Sequence, residues 1–110
     1  MVTKKIFDAQ ALAASGSATS QVFDLDTVFW GKSAQGFCTV QHAVTGSGTP
    51  SVTPQYSNDG TNFIDGDATE LSGASGMTDI TLMAARYLRF KIAETGGSAT
   101  VTVTLTINLS

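Results

Sequence analysis

The sharpest pattern in the chain lies near its end. Val101, Val103, Leu105, Ile107 and Leu109 alternate with Thr102, Thr104, Thr106 and Asn108. Period two over such a length predicts a strand with one buried and one polar face. A slip of one residue would expose the whole apolar set, so the register is strongly specified. Tyr87 to Ile92 repeats the pattern, with Leu88, Phe90 and Ile92 on one face and Tyr87, Arg89 and Lys91 on the other. Between Gly36 and Val44, Cys38, Val40 and His42 share a face opposite Phe37, Thr39 and Gln41. Ser51 to Ser57 predicts another strand. Pro54 within it belongs at an edge or a bulge, because proline has no N–H to give to a ladder. Asn58-Asp59-Gly60-Thr61-Asn62 reads as a tight hairpin turn before Phe63-Ile64.

The remaining runs are looser. Gln21 to Asp26, Thr27-Val28-Phe29-Trp30 and Asp79 to Leu82 carry β-branched or alternating residues. Thr45 to Pro50, Asp65 to Met77 and Glu94 to Ser98 are rich in Gly, Ser or Asp and read as connections. Asp8 to Ser17 is the ambiguous stretch. Its alanines favour helix, yet Ser15-Gly16-Ser17 stops one at once, so a loop or a single helical turn is expected. With no long helical pattern, the chain predicts an all-β fold, an antiparallel β-sandwich of about seven or eight strands. The expected boundaries are an N-terminal arm or extension over 1–18 and a sandwich domain over 19–110.

Composition sharpens the functional picture. The chain has 110 residues, room for one domain. Charged residues make up 14% of it, well below the roughly 25% of an average soluble domain. Thr, Ser and Gly must cover the surface instead. Such a surface can be buried against a partner at little cost in desolvated charge. The net charge of −3 argues against nucleic acid, which calls for a basic face; Arg86, Arg89 and Lys91 read as solvated strand positions. Ala11 to Ala14 is too short to cross a bilayer. Lys4-Lys5 is followed by Ile6-Phe7-Asp8, not by an apolar leader, so the expectation is a product made and kept in a cytoplasm.

Candidate chemistry is sparse. Cys38 is the single cysteine, so the fold is expected to rest on its core, with Cys38 as a small buried residue. His42, the single histidine, shares its face but lies about 13 Å along an extended strand, beyond hydrogen-bond reach. The pairs Asp24/Asp26 and Asp65/Asp67 share faces if extended and could hold Ca²⁺; turn and capping chemistry is the favoured reading. Asn58 to Asn62 lacks the oxygen spacing and closing Glu of a calcium loop. No nucleophile elbow surrounds a serine. The expectation is therefore a non-enzymatic protein with no catalytic residue, no cofactor and no metal.

A binder draws on its aromatics. Phe29 and Trp30 are adjacent and in a strand point to opposite faces; Trp30 is expected outside the core as an interface anchor. Tyr87, on the polar face of its strand, is a second candidate. In the arm, Lys4, Ile6 and Phe7 are expected to meet a partner, Met1 to Gln10 adding a strand to a neighbour's sheet edge. Deleting that arm is expected to spare the fold. The Thr face of the last strand offers a surface for packing between protomers.

Gln55-Tyr56-Ser57-Asn58-Asp59-Gly60-Thr61-Asn62-Phe63, followed by Ala85-Arg86-Tyr87-Leu88-Arg89-Phe90-Lys91-Ile92 and the closing Thr/Val strand, resembles discoidin and galactose-binding-like β-sandwich domains. The same pattern resembles small structural proteins of tailed phages. The first resemblance implies a jelly-roll or galactose-binding-like sandwich and a carbohydrate-binding module in host attachment. The second implies a capsid decoration (cement) protein that sits on the virion's capsid surface, binds the major capsid protein between subunits and forms a homotrimer. A small, charge-poor sandwich with one cysteine favours the second.

Overall fold

The structure, a computed structural model, describes residues 2–25, 36–94 and 100–109, and of Val2 and Phe37 the backbone only. The expected strand at Thr27 to Trp30 and the turn at 95–98 lie outside the described residues. Ten strands are present among those described: β1 Val2–Leu12, β2 Ser17–Thr19, β3 Phe23–Asp24, β4 Phe37–Gly46, β5 Pro50–Ser57, β6 Ile64–Asp65, β7 Thr69–Glu70, β8 Ser75–Thr81, β9 Tyr87–Glu94 and β10 Val101–Leu109. They form two antiparallel sheets, and the chain is an all-β sandwich. One sheet runs β1-β10-β4-β8; the other runs β2-β9-β5-β6, with β3 also on β9 and β7 also on β5. The count exceeds the expected seven or eight because short strands such as β7 form inside stretches whose composition reads as loop.

Period two becomes burial. Along β10 Val101, Val103, Leu105, Ile107 and Leu109 face inward, and along β9 Leu88, Phe90 and Ile92 do the same from the opposite sheet. Cys38, Val40 and Val44 of β4 and Val52 and Tyr56 of β5 complete the centre. Each such side chain is worth about 1.5–3 kcal/mol when removed from water. β10 pairs with β4 from Val101↔Gly46 to Leu109↔Cys38 without a shift.

The two prolines of β5 fall at positions of the same parity. Gly66 N–H donates to Pro54 O at 2.8 Å and Leu71 N–H to Pro50 O at 2.9 Å. The side of each proline that lacks an N–H therefore faces the interrupted β6/β7 margin and not β9, which is the edge placement expected for Pro54.

The N-terminal segment departs from expectation. Val2–Leu12 is not an arm: it pairs antiparallel with β10 of the same chain, from Val2↔Leu109 to Leu12↔Val101. Ser17–Thr19 pairs with β9 in the other sheet, so both strands of this segment are part of the sandwich. Helix propensity in Asp8 to Ala14 yields to this pairing and to burial of Phe7 and Leu12. The register shifts between Lys5 and Phe7 and between Phe7 and Gln10, and Ala9 has φ 51°, a bulged and locally left-handed backbone. The Ala9 N–H donates to Thr104 Oγ1 at 3.0 Å, offsetting part of that strain.

Candidate functional site

The residues read from sequence as partner contacts do not gather in one place. Lys4 is exposed on β1, Ile6 is half-buried against the core, and Phe7 is 5% exposed. Phe7 is thus a core residue, because the bulge turns it inward opposite Leu105. Tyr87 lies in the other sheet, half-buried. The Arg86 guanidinium stands 5.1 Å from its ring centre. Gly60, at φ 77°, packs so close that a Cβ there would lie 3.3 Å from the ring. Trp30 lies outside the described residues.

The reactive-looking groups are tied into the fold. Cys38 is buried, and loss of solvation pushes its thiol up to about 12, so it stays protonated and unreactive at neutral pH. His42 is buried farther along β4; its Nε2 lies 3.1 Å from the Ser72 carbonyl, to which it donates as the Nε2–H tautomer. The imidazole lies over Gly76 of β8, where a Cβ would come within 2.8 Å of Cε1. Asp59 builds the hairpin turn: its carboxylate accepts from the backbone N–H groups of Asn62 and Thr61 at 2.8 Å each, from Asn62 Nδ2 and from the Ser57 hydroxyl. Those bonds, the Asn62 and Thr61 N–H groups foremost, hold it far below the ordinary carboxylate range. Asp24 pairs with Arg86 at 3.3 Å, and Asp65 accepts from Gln55 at 2.7 Å. The described residues contain no group of three His, Cys, Asp or Glu side chains placed to share a metal ion.

Two surfaces remain. One is an open cleft of about 390 Å³ beside the hairpin turn, lined among others by Tyr56, Asn58, Asp59, Ile64, Met83 and Ala85. Its rim carries the apolar side chains Ile64, 68% exposed, and Met83, 60% exposed. The other is the outer face of the four-stranded sheet. The pairings lay it out in rows: Thr3, Asn108, Thr39, Asp79; then Lys5, Thr106, Gln41, Met77; then Thr104, Ala43, Ser75; then Ala11, Thr102, Thr45. Charge occurs only at the two margins, Lys5 and Asp8 on β1 and Asp79 on β8. Among the described side chains, the central strands β10 and β4 present Thr, Asn, Gln and Ala alone. Cross-strand neighbours such as Thr102 and Thr45 pack methyl and hydroxyl groups side by side, and β-branching holds them in few rotamers.

This face can do little chemistry and can be covered cheaply. Its hydroxyls and amides can find new partners, and no ion has to leave water at its centre. Between its outermost positions it measures about 14 Å across the strands and about 20 Å along them. That is on the order of 300 Å², against about 800 Å² per partner in a standard interface.

Sequence reading found the polar faces of β10 and β4 but only the end of β8, Asp79 onward; its first residues read as connection because Ser75 and Gly76 carry turn composition. The signal available was the alternation that begins at Gly76 and runs to Leu82. No family model matches the chain, and no curated protein matches it.

Proposed function

We propose that this chain is a non-enzymatic virion structural protein, a decoration protein that binds between capsid subunits and stabilises a phage head. The observation that carries the binding half of this reading is the uncharged outer face of the β1-β10-β4-β8 sheet, which holds charge only at its margins. The capsid half is supported by the resemblance of Gln55 to Phe63 and Ala85 to Ile92 to small tailed-phage structural proteins. The mechanism is differential affinity. A module that binds the assembled shell and not its free subunits stabilises the shell in proportion to that preference. A face of this size binds weakly alone, so stable attachment calls for several copies acting together, in keeping with a homo-oligomer on the capsid surface.

The test is to purify particles from the source culture on a density gradient and assay them for the chain. In stoichiometric amount it co-sediments with heads, and Thr104→Lys, a charge in mid-face, releases it. A chain found only outside particles contradicts the reading. So does specific glycan binding by the free protein that Tyr87→Ala abolishes, which would favour the carbohydrate-binding alternative.

A further inference from the structure

We infer that β8 is a pairing edge for a second copy of this chain, the two β8 strands joining antiparallel about a twofold axis at Met77. Every other sheet margin among the described residues is blunted. β2, β3, β6 and β7 are two or three residues long, and β1 is broken by two register shifts and carries Lys4, Lys5 and Asp8. These are the devices by which soluble sheets prevent edge-to-edge association. β8 has no register shift and a single charge, Asp79. It runs seven residues in unbroken register with β4, from Phe37↔Thr81 to Ala43↔Ser75, and no described strand pairs with its far side.

The direction of its backbone groups follows from its neighbours. Val44 N–H donates to Ala74 O at 2.8 Å and Leu82 N–H to Gly36 O at 2.7 Å. In an antiparallel ladder the N–H and C=O of one residue point the same way and alternate along the strand. Even-numbered residues of β8 therefore face β4, and Ser75, Met77, Asp79 and Thr81 turn their N–H and C=O groups outward. An occupant must be an extended strand that matches this spacing, and the side chains select the same strand from another copy. With the axis at Met77, the two Met77 side chains, each 65% exposed in the monomer, lie against one another. Asp79 lies opposite Ser75 of the second copy, a carboxylate facing a hydroxyl donor, and on the inner side Thr78 meets Gly76. An axis at Asp79 would set two carboxylates directly opposite, which is destabilising. An axis at Thr78 would bury each Met77 against a carboxylate. Of these three axes, the one at Met77 matches apolar with apolar and acceptor with donor.

The contact is isologous and closes on itself, so it yields a dimer and no fibre. It joins two outer faces into one continuous eight-stranded surface, twice the area of either. It stands on the edge geometry and does not depend on the capsid reading. A trimer built on another surface would, with this contact, sediment as an even-numbered assembly.

Sedimentation equilibrium combined with cysteine trapping tests it. Facing Met77 residues sit about 5.5 Å apart between Cα atoms, within disulfide reach, whereas the two Asp79 residues lie about 13 Å apart along the strands. Wild type sediments as an even-numbered assembly and Met77→Lys shifts to half that mass. Mild oxidation links Met77→Cys into covalent dimers and leaves Asp79→Cys unlinked; buried Cys38 stays out of the reaction. A monomeric wild type overturns the inference, as does a dimer in which Met77→Cys fails to link or Asp79→Cys links equally. Loss of capsid binding with an intact Met77 contact would instead fall on the proposed function.

Discussion

β1 and β8 bound the same four-stranded sheet and differ in every feature that governs whether a strand edge associates. β1 is eleven residues long, twice shifted in register, left-handed at Ala9 and marked by Lys4, Lys5 and Asp8. β8 is shorter, regular, and carries Asp79 as its one charge beside an exposed Met77. Neighbours do not explain the contrast, since each edge strand has one partner among the described strands of the sheet. What differs is how the chain has treated its spare backbone groups: blocked on one side, left available on the other. A sheet with both edges open would propagate, and one with both blocked would stay single. One of each stops at two.

Deleting Met1 to Gln10 breaks the comparison most severely. It removes Phe7 from the core and strips β10 of its outer partner. A cost of several kcal/mol is expected, read as loss of the cooperative urea transition. Ile107→Ala, in the strand shared by the core and β1, costs about 2–5 kcal/mol by the same measurement. Gly76→Ala acts from the β8 side. Its methyl group meets the His42 ring, and the overpacking costs about 1–3 kcal/mol, seen as a lower Tm. Lys4→Thr with Lys5→Thr leaves stability within about 0.5 kcal/mol, because the exposed Lys5–Asp8 pair at 4.0 Å contributes little. The bulges continue to block β1, so this variant keeps the wild-type mass.

Asp59→Asn touches neither edge, so it serves as the control for assembly. Its carboxyl is held below the ordinary value of 3.8. Its contribution is therefore complete above that pH and fades as the pH falls below it toward the folded-state value. In the variant, Tm falls less steeply with acid below about pH 4, while sedimentation is unchanged.

Much of this architecture was legible because strand burial has a period of two. Leu88 to Ile92 and Val101 to Leu109 carry the pattern without interruption, and the structure buries the residues it marks. Pro54 and Asp59-Gly60 were legible for a local reason, a missing N–H and a turn that needs positive φ. The β1 edge was not legible. Asp8 to Ala14 has helix-favouring composition, and the extended form of its first part, through Leu12, is imposed by β10, nearly a hundred residues away in sequence. The partner residues Lys4, Ile6, Phe7 and Tyr87 were chosen one at a time by side-chain type, and side-chain type does not tell which sheet a strand will join. The start of the β8 edge escaped notice because Ser75-Gly76 mimics a turn, although Gly76 is there to make room for His42.

Amide hydrogen exchange followed residue by residue at rising protein concentration tests the contrast between the two edges most directly. The outward N–H groups of Ser75, Met77 and Asp79 gain protection as concentration rises, while the outer amides of β1 do not change. Equal protection on both edges, or exchange at Met77 that is independent of concentration, would contradict the account.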